Sequence, residues 1–280
     1  MADSKLAHRN LRPWNADVTR LATDLNPLGD RSDPKDRSQL LERRTVLESR
    51  GMLQRRAVAV AAACMLLGTL AMAIDLPVAR WCTASPLPKE LRRLIEFSEI
   101  FAHTTGVVAL LVALTVLDPS IVGPRPSRPS SVSRPSWRGR ALVRVVAAVF
   151  AGGLLADVIK VLVVRVRPRA ADVASLASVF DTFDSATLMA GRGGHGDVMS
   201  FPSGHAAVAA GFATMLCWRY PWGWPVFVAF AMLAAAQRVF SSAHYPSDVA
   251  WGAGLGILAA TLILASTDPG SDTMAGPSRP

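Results

Sequence analysis

The chain has 280 residues, 51% of them hydrophobic and only 18% charged, with a net charge of +9 and a mean hydropathy of +0.30. Soluble domains carry about 25% charged residues, so this composition argues for an integral membrane protein and against a soluble globular one. It also argues against nucleic acid as a partner, because the arginines gather in the N-terminal tail and around 119–140. Basic residues flanking apolar spans mark topology and meet anionic lipid headgroups.

Residues 1–50 are polar, with scattered Arg, Asp and Pro, and read as a disordered or loosely helical cytoplasmic tail. The first apolar run starts near Ala57, too late for a cleavable signal peptide. A crossing needs about 20 apolar residues for about 30 Å of hydrocarbon. Six stretches are candidates, near 57–78, 100–117, 141–163, 204–219, 225–240 and 247–266. The fourth and fifth are short, which implies tilt, local thinning or burial inside the bundle. The expected fold is therefore all-α, a six-transmembrane-helix bundle over 51–266, followed by a disordered tail at 267–280.

Between the spans, residues 80–99 mix Lys89, Arg92, Arg93, Glu96 and Glu99 with Leu91, Leu94 and Ile95, the pattern of an amphipathic helix lying at the interface. The Pro-, Ser- and Arg-rich stretch 119–140 reads as a flexible linker. Residues 169–200 form a long loop ending in Gly191, Gly193, Gly194 and Gly196. Trp81, Trp137, Trp218, Trp222 and Trp224 fall near span ends, as interfacial anchors do. Cys64, Cys82 and Cys217 form no paired framework.

Arg43, Arg44, Arg50, Arg55 and Arg56 precede the first span, and Arg125, Arg128, Arg134, Arg138 and Arg140 fill the 119–140 loop. The positive-inside rule puts both in the cytoplasm. The opposite side then receives the end of span three, the start of span four, the end of span five and the start of span six.

Those four ends hold the chain's chemistry: Lys160-x6-Arg167-Pro168, Pro202-Ser203-Gly204-His205, and Arg238-x5-His244-x3-Asp248. Lys160 and Arg167 are two helical turns apart and share a face; Pro168 disfavours helix at Arg167 and frees its guanidinium. Arg167 and Arg238 can each grip two phosphate oxygens, and Lys160 supplies a point charge. Ser203 suits an N-cap, and the helix start behind it offers free N–H groups to an anion. Gly204 allows close approach of a ligand to the main chain, and His205 follows in the first turn. Pro246 starts the last span with His244 just before it and Asp248 in its first turn. An aspartate accepting from one ring nitrogen fixes the tautomer and frees the other nitrogen to attack.

In this order and spacing, the three stretches resemble the signature of the type 2 phosphatidic acid phosphatase (PAP2) superfamily, and the apolar layout resembles its membrane lipid phosphatase branch. The resemblance implies phosphate binding by Lys160, Arg167, Ser203, Gly204 and Arg238, with His205 as general acid. It implies that His244, oriented by Asp248, forms a phosphohistidine that water hydrolyses, without metal or cofactor. The implied protein is a lipid phosphatase, with a lipid phosphate and the bilayer as partners. Its active site would face the outer membrane–water interface, the periplasm if the source is a bacterium, with both termini cytoplasmic. One departure is Gln237, where many members carry serine; its amide can still donate to a phosphate oxygen.

A lipid phosphotransferase, a non-catalytic lipid-phosphate binder or transporter, and a vanadium haloperoxidase are the rival readings. Six apolar spans argue against the last, whose members are soluble. Among the remaining polar residues, Asp157 is expected to pair with Lys160 or near Arg144. His103, Glu96 and Glu99 are expected to be solvated at the interface, with lining of the lipid entrance as the alternative; His195 and Asp197 are outer-loop residues, with headgroup contact as the alternative; and Met189 and Met199 are expected to pack the loop.

Overall fold

The computed structural model describes residues 34–84, 88–118, 137–183 and 194–266. Both tails (1–33 and 267–280), most of the basic linker (119–136) and residues 184–193, with Met189, Gly191 and Gly193, lie outside the described residues. Residues 1–50 and 51–280 form separate compact units. In the first unit the described part, from Pro34, is helical.

The described elements are helical, apart from one isolated parallel bridge between Arg165 and Met199. In chain order they are α1 (Pro34–Ala71), α2 (Asp75–Ala84), α3 (Lys89–Phe97), α4 (Thr104–Leu117), α5 (Trp137–Leu162), α6 (Gly204–Arg219), α7 (Trp224–Phe240) and α8 (Pro246–Ala265). Among the described residues four helical stretches are long and apolar enough to cross a membrane: Gly51–Ala84, Leu142–Leu162, Pro221–Phe240 and Pro246–Ala265. Lys89–Phe101 and Thr104–Leu117, bent by 65°, make a fifth if taken as one broken span.

Two boundaries differ from those read in the sequence. The first apolar helix does not stop near 78: after a single 3-10 turn at Met72–Ile74 it continues through α2 to Ala84. Asp75, inside that run, has its carboxylate fully buried and ion-paired, so the helix carries it without meeting water. The amphipathic helix is correspondingly shorter, α3 alone, and runs through a 3-10 turn at Ser98–Phe101 into an elbow where His103 is extended (φ −81°, ψ 134°). The elbow is closed tightly, since a Cβ on Gly106 would lie 2.3 Å from the Ile100 carbonyl oxygen.

The centre of the bundle is α6. It has 16 residues, about 24 Å of helix at 1.5 Å per residue, and is the most enclosed helix of the second unit. Its small residues let backbones approach closely, the device membrane bundles use where lipid removes the hydrophobic driving force. A Cβ on Gly256 of α8 would sit 2.1 Å from the Ala207 oxygen, and one on Gly211 of α6 would sit 2.8 Å from the Val149 oxygen of α5. Phe101 from the elbow packs on Phe212 and Phe230, with ring centroids 4.8 and 5.7 Å apart. At the far end of α6, Arg219 pairs with Asp118 at 2.7 Å. The near end meets the ends of α5, α7 and α8. Trp81, Trp222 and Trp224 are exposed, whereas Trp218 is partly buried against Ala148, Ala260 and Leu264.

Candidate active site

Backbone hydrogen bonds tie the three sequence stretches to one another. After α5 the strip 164–167 is non-helical, and Arg167 is extended (φ −70°, ψ 148°), as the residue before Pro168 prefers. This strip pairs with the approach to α6: Arg165 N–H donates to Val198 O at 2.9 Å, Ser200 N–H to Arg165 O at 2.9 Å, and Arg167 N–H to Asp197 O at 2.8 Å. Arg169 N–H donates to Ser242 O, and Ser203 N–H to Asp248 O, each at 2.9 Å. The α7–α8 turn closes on itself, with the N–H groups of Ala243 and His244 both donating to Arg238 O at 3.1 Å. Ser203 is the N-cap of α6, its hydroxyl accepting from Ala206 N–H, and a Cβ on Gly252 would lie 2.2 Å from the Ser203 oxygen. The site is thus built from four helix ends locked by main-chain contacts.

Beneath it lies a buried polar core. Arg165, Asp75, Asp248, Ser200, Ser203 and Ser247 are all fully buried, so their charges must be satisfied internally. Arg165 Nη2 donates to Asp75 at 2.7 Å, its Nη1 to Ser247 Oγ at 2.7 Å and to Asp248 Oδ1, and its Nε to Thr182 Oγ1 at 3.0 Å. Its guanidinium carbon lies 4.1 Å from the centroid of the Tyr245 ring, a cation–π contact. Asp75 also accepts from Ser247 N–H at 3.0 Å and from its hydroxyl. The second oxygen of Asp248 accepts from Ser200 Oγ at 2.6 Å and from Tyr245 N–H at 2.9 Å, closing the start of α8 as a capping carboxylate does.

His244 is oriented differently from the sequence expectation. Its Nδ1 lies 3.8 Å from Asp248 Oδ2, beyond hydrogen-bond range, and instead bonds Ser200 O at 2.8 Å. A carbonyl only accepts, so Nδ1 carries the proton and Nε2 is the free lone pair. The tautomer is the expected one, but Ser200 O fixes it. Asp248 holds Ser200 and supplies its charge nearby. Burial pushes the His244 pKa below its ordinary value, against the pull of Asp248.

The three cations sit around this centre. Arg167 donates to Gly196 O at 2.9 Å and Met199 O at 3.4 Å, and it interacts electrostatically with Arg238 and Asp248. Lys160 Nζ donates to Asp157 at 2.8 Å, as expected, directly above Gly204, whose added Cβ would meet both groups at 3.1 and 3.3 Å. Arg238 donates through Nη2 to Glu99 at 2.9 Å and through Nε to the Gln237 amide oxygen, so Gln237 faces Arg238 as an acceptor. His205 lies within electrostatic reach of Arg238, His244 and Lys160. The His103 ring stands 5.9 Å from that of His205. Asp197 pairs with Arg169 at 3.2 Å.

Residues 141–269 match the family model described as the PAP2 superfamily. The match takes in all three of the sequence stretches. Among relatives, the chain is 35% identical over 121 residues to the lipid A 1-phosphatase of Rhizobium etli, covering 43% of the chain and 47% of the relative. It is 34% identical over 123 residues to the lipid A 1-phosphatase of Rhizobium johnstonii, covering 43% and 44%. The chain thus spans less than half the length of these relatives. Among solved structures, the transmembrane PAP2 type phosphatidylglycerolphosphate phosphatase from Bacillus subtilis superposes with a TM-score of 0.48 at 19% identity, over 73% of this chain and 94% of that one. With four or five helices of crossing length among the described residues, the chain is an integral membrane protein.

Every expected site residue is found at this junction of helix ends. The sequence reading missed Arg165, Asp75 and Ser200, which hold Asp248 and His244, and it expected Glu99 to be solvated, whereas Glu99 pairs with Arg238; His103 is exposed, as expected. For Arg165 and Asp75 a signal existed: a charge inside an apolar run is costly and implies a partner. Among the described residues no group of three or more His, Cys, Asp or Glu forms a metal-ligand set.

Proposed function

We propose that this protein is a PAP2 membrane lipid phosphatase that cleaves a lipid phosphomonoester or pyrophosphate through a phosphohistidine on His244. Lys160, Arg167 and Arg238 neutralise the phosphate oxygens, and the N–H groups at the start of α6, behind Ser203 and Gly204, add the helix's positive end. Nε2 of His244 attacks phosphorus as the bond to the ester oxygen breaks, and His205 gives that oxygen its proton. Water, giving a proton back to His205, then breaks the N–P bond and releases inorganic phosphate. Asp248 acts through Ser200 and the Tyr245 amide to hold the imidazole, and its charge favours the cationic ring that forms. Six crossings complete the arrangement, with α6 enclosed as the fourth. The site-bearing ends face the outer leaflet, and the arginine-rich first part of α1 and the 119–140 segment are cytoplasmic. In a bacterial cell this is the inner membrane and the periplasmic side.

The observation that carries the reading is His244 itself, buried, with Nδ1 committed to Ser200 O and Nε2 left as a nucleophile among the three cations. The test is phosphate release by detergent-purified protein from lipid A, phosphatidate, phosphatidylglycerol phosphate and undecaprenyl pyrophosphate, with chelator present. Chelator-resistant release by the wild type that vanishes in His244→Ala is expected. Equal release by the two proteins contradicts the assignment. Transfer of phosphate to a lipid hydroxyl in place of water makes the enzyme a phosphotransferase.

A further inference from the structure

The elbow between α3 and α4 brings a further imidazole to the site. The rings of His103 and His205 stand 5.9 Å apart and are tilted by 54°. The elbow reaches this position by packing along α6: Phe101 lies on Phe212, with ring centroids 4.8 Å apart, and Phe212 is two helical turns on from His205. Its backbone is held on both sides of the ring. His103 N–H donates to Glu99 O at 2.7 Å, and His103 O accepts from Val107 N–H at 2.9 Å. Val107 and Leu111 then anchor the first turns of α4 in the core. His103 itself is exposed, as are Thr104 and Thr105, and its Nδ1 shares a hydrogen bond with Thr105 Oγ1 at 2.9 Å. Thr105 thereby sets the plane of the ring, whose second hydrogen-bonding position is Nε2.

In the phosphatase reading above, on which this inference rests, His205 gives its proton to the ester oxygen on the side away from His244. The carbon on that oxygen, and whatever the next carbon bears, then lie beside His205 on its exposed side, where His103 stands. We propose that Nε2 of His103 hydrogen-bonds a hydroxyl or amide on the carbon next to the ester carbon. The site then prefers leaving groups of the glycerol or amino-sugar kind over plain alkyl or prenyl chains. An imidazole suits this task because Nε2 donates in one tautomer and accepts in the other, and the Thr105 hydroxyl can serve Nδ1 in either. A plain chain covers the ring without replacing the water it displaces, which leaves a polar group unpaired. Sites built to hydrogen-bond a substrate group reject the analogue that lacks it for this reason.

The test compares phosphate release from dodecyl phosphate, 2-hydroxydodecyl phosphate and 2-acetamidododecyl phosphate by the detergent-purified chain. The wild type should turn over at least one substituted compound with kcat/KM about fivefold above dodecyl phosphate, the worth of one ordinary hydrogen bond. Preference for the hydroxyl points to a polyol headgroup, and preference for the acetamide to an amino sugar. In His103→Ala the ratio should fall to about one, because the partner is gone. His103→Gln, whose amide can still donate and accept, should keep part of it. The ratio separates this role from a structural one, since a loosened elbow lowers release from all three compounds alike. No wild-type preference, an unchanged ratio in His103→Ala, or an equal fall on all three compounds overturns the proposal and leaves the phosphatase reading standing. If His103→Ala fails to fold, Thr105→Val carries the test, because a ring freed from Thr105 should lose part of the ratio and an unchanged ratio overturns the proposal. Release from none of the three by the wild type would overturn the phosphatase reading, and this proposal with it.

Discussion

Arg165 and Asp248 form a fully buried ion pair, and the same guanidinium reaches across to Asp75 at 2.7 Å. One cation thereby links the strip after α5, the first apolar helix and the start of α8. Breaking a buried pair by deleting one partner costs about 3–5 kcal/mol, because the remaining charge stays desolvated. Arg165→Met strands two carboxylates and is expected to lose about that much stability, read as a large fall in melting temperature in detergent. Asp75→Asn keeps a polar partner for Ser247 and should fold. Arg165 is sealed from the phosphate, so the loss in Asp75→Asn should fall on kcat, with KM little changed. A raised KM at constant kcat would place Arg165 in substrate binding.

The glycines of α8 give a sharper structural test. Gly252→Ala would press a methyl into the Ser203 oxygen, at 2.2 Å before relaxation, and Gly256→Ala into that of Ala207 at 2.1 Å. Overpacking of this kind costs about 1–3 kcal/mol. Both variants should melt earlier, but only Gly252→Ala moves the N-cap of α6 and should lose activity beyond its loss of stability. Gly51, with nothing within 4 Å of an added Cβ, should accept alanine with a gain of up to about 1 kcal/mol.

The buried His244 predicts a pH dependence. Its folded pKa is lowered, chiefly by burial and also by Arg167 and Lys160, with Asp248 opposing. Between that value and the unfolded value of about 6.5, the unfolded chain binds the extra proton. Stability from this group is therefore complete above about pH 6.5 and is lost as pH falls through the window. The neutral ring is also the nucleophile, so the acid limb of kcat/KM assigned to His244 should lie below pH 6.5. An acid limb near 7 that disappears in a His244 variant with residual activity would contradict the buried, neutral imidazole.

Much of the site was legible in the sequence because its chemistry is carried by local patterns. Pro168, Ser203 and Pro246 act on their own backbones, and each sets the local conformation expected of it. What escaped were interactions that no local pattern records. Ser200 takes over the orientation of His244 because a parallel strip pairs Arg165 with Met199, a contact between segments far apart in sequence. The burial of Asp75 against Arg165 went unread because hydropathy counts a charge without its partner. Glu99, one turn along an amphipathic surface, reads as solvated, and only the 65° elbow turns it onto Arg238. The enclosed position of α6 likewise follows from Gly211, Gly252 and Gly256 meeting neighbouring backbones, which a hydropathy window does not see.

The central claim is that His244 carries the phosphoryl group, and rapid-quench trapping with a phosphorus-labelled lipid phosphomonoester addresses it most directly. Wild type should yield a protein-bound label that is stable to alkali and lost in acid, as an N–P bond requires. It should be absent from His244→Ala and persist longer in His205→Ala, where the water that hydrolyses it lacks its base. Label that survives in His244→Ala, or turnover with no trapped label and direct attack by water, would contradict the account.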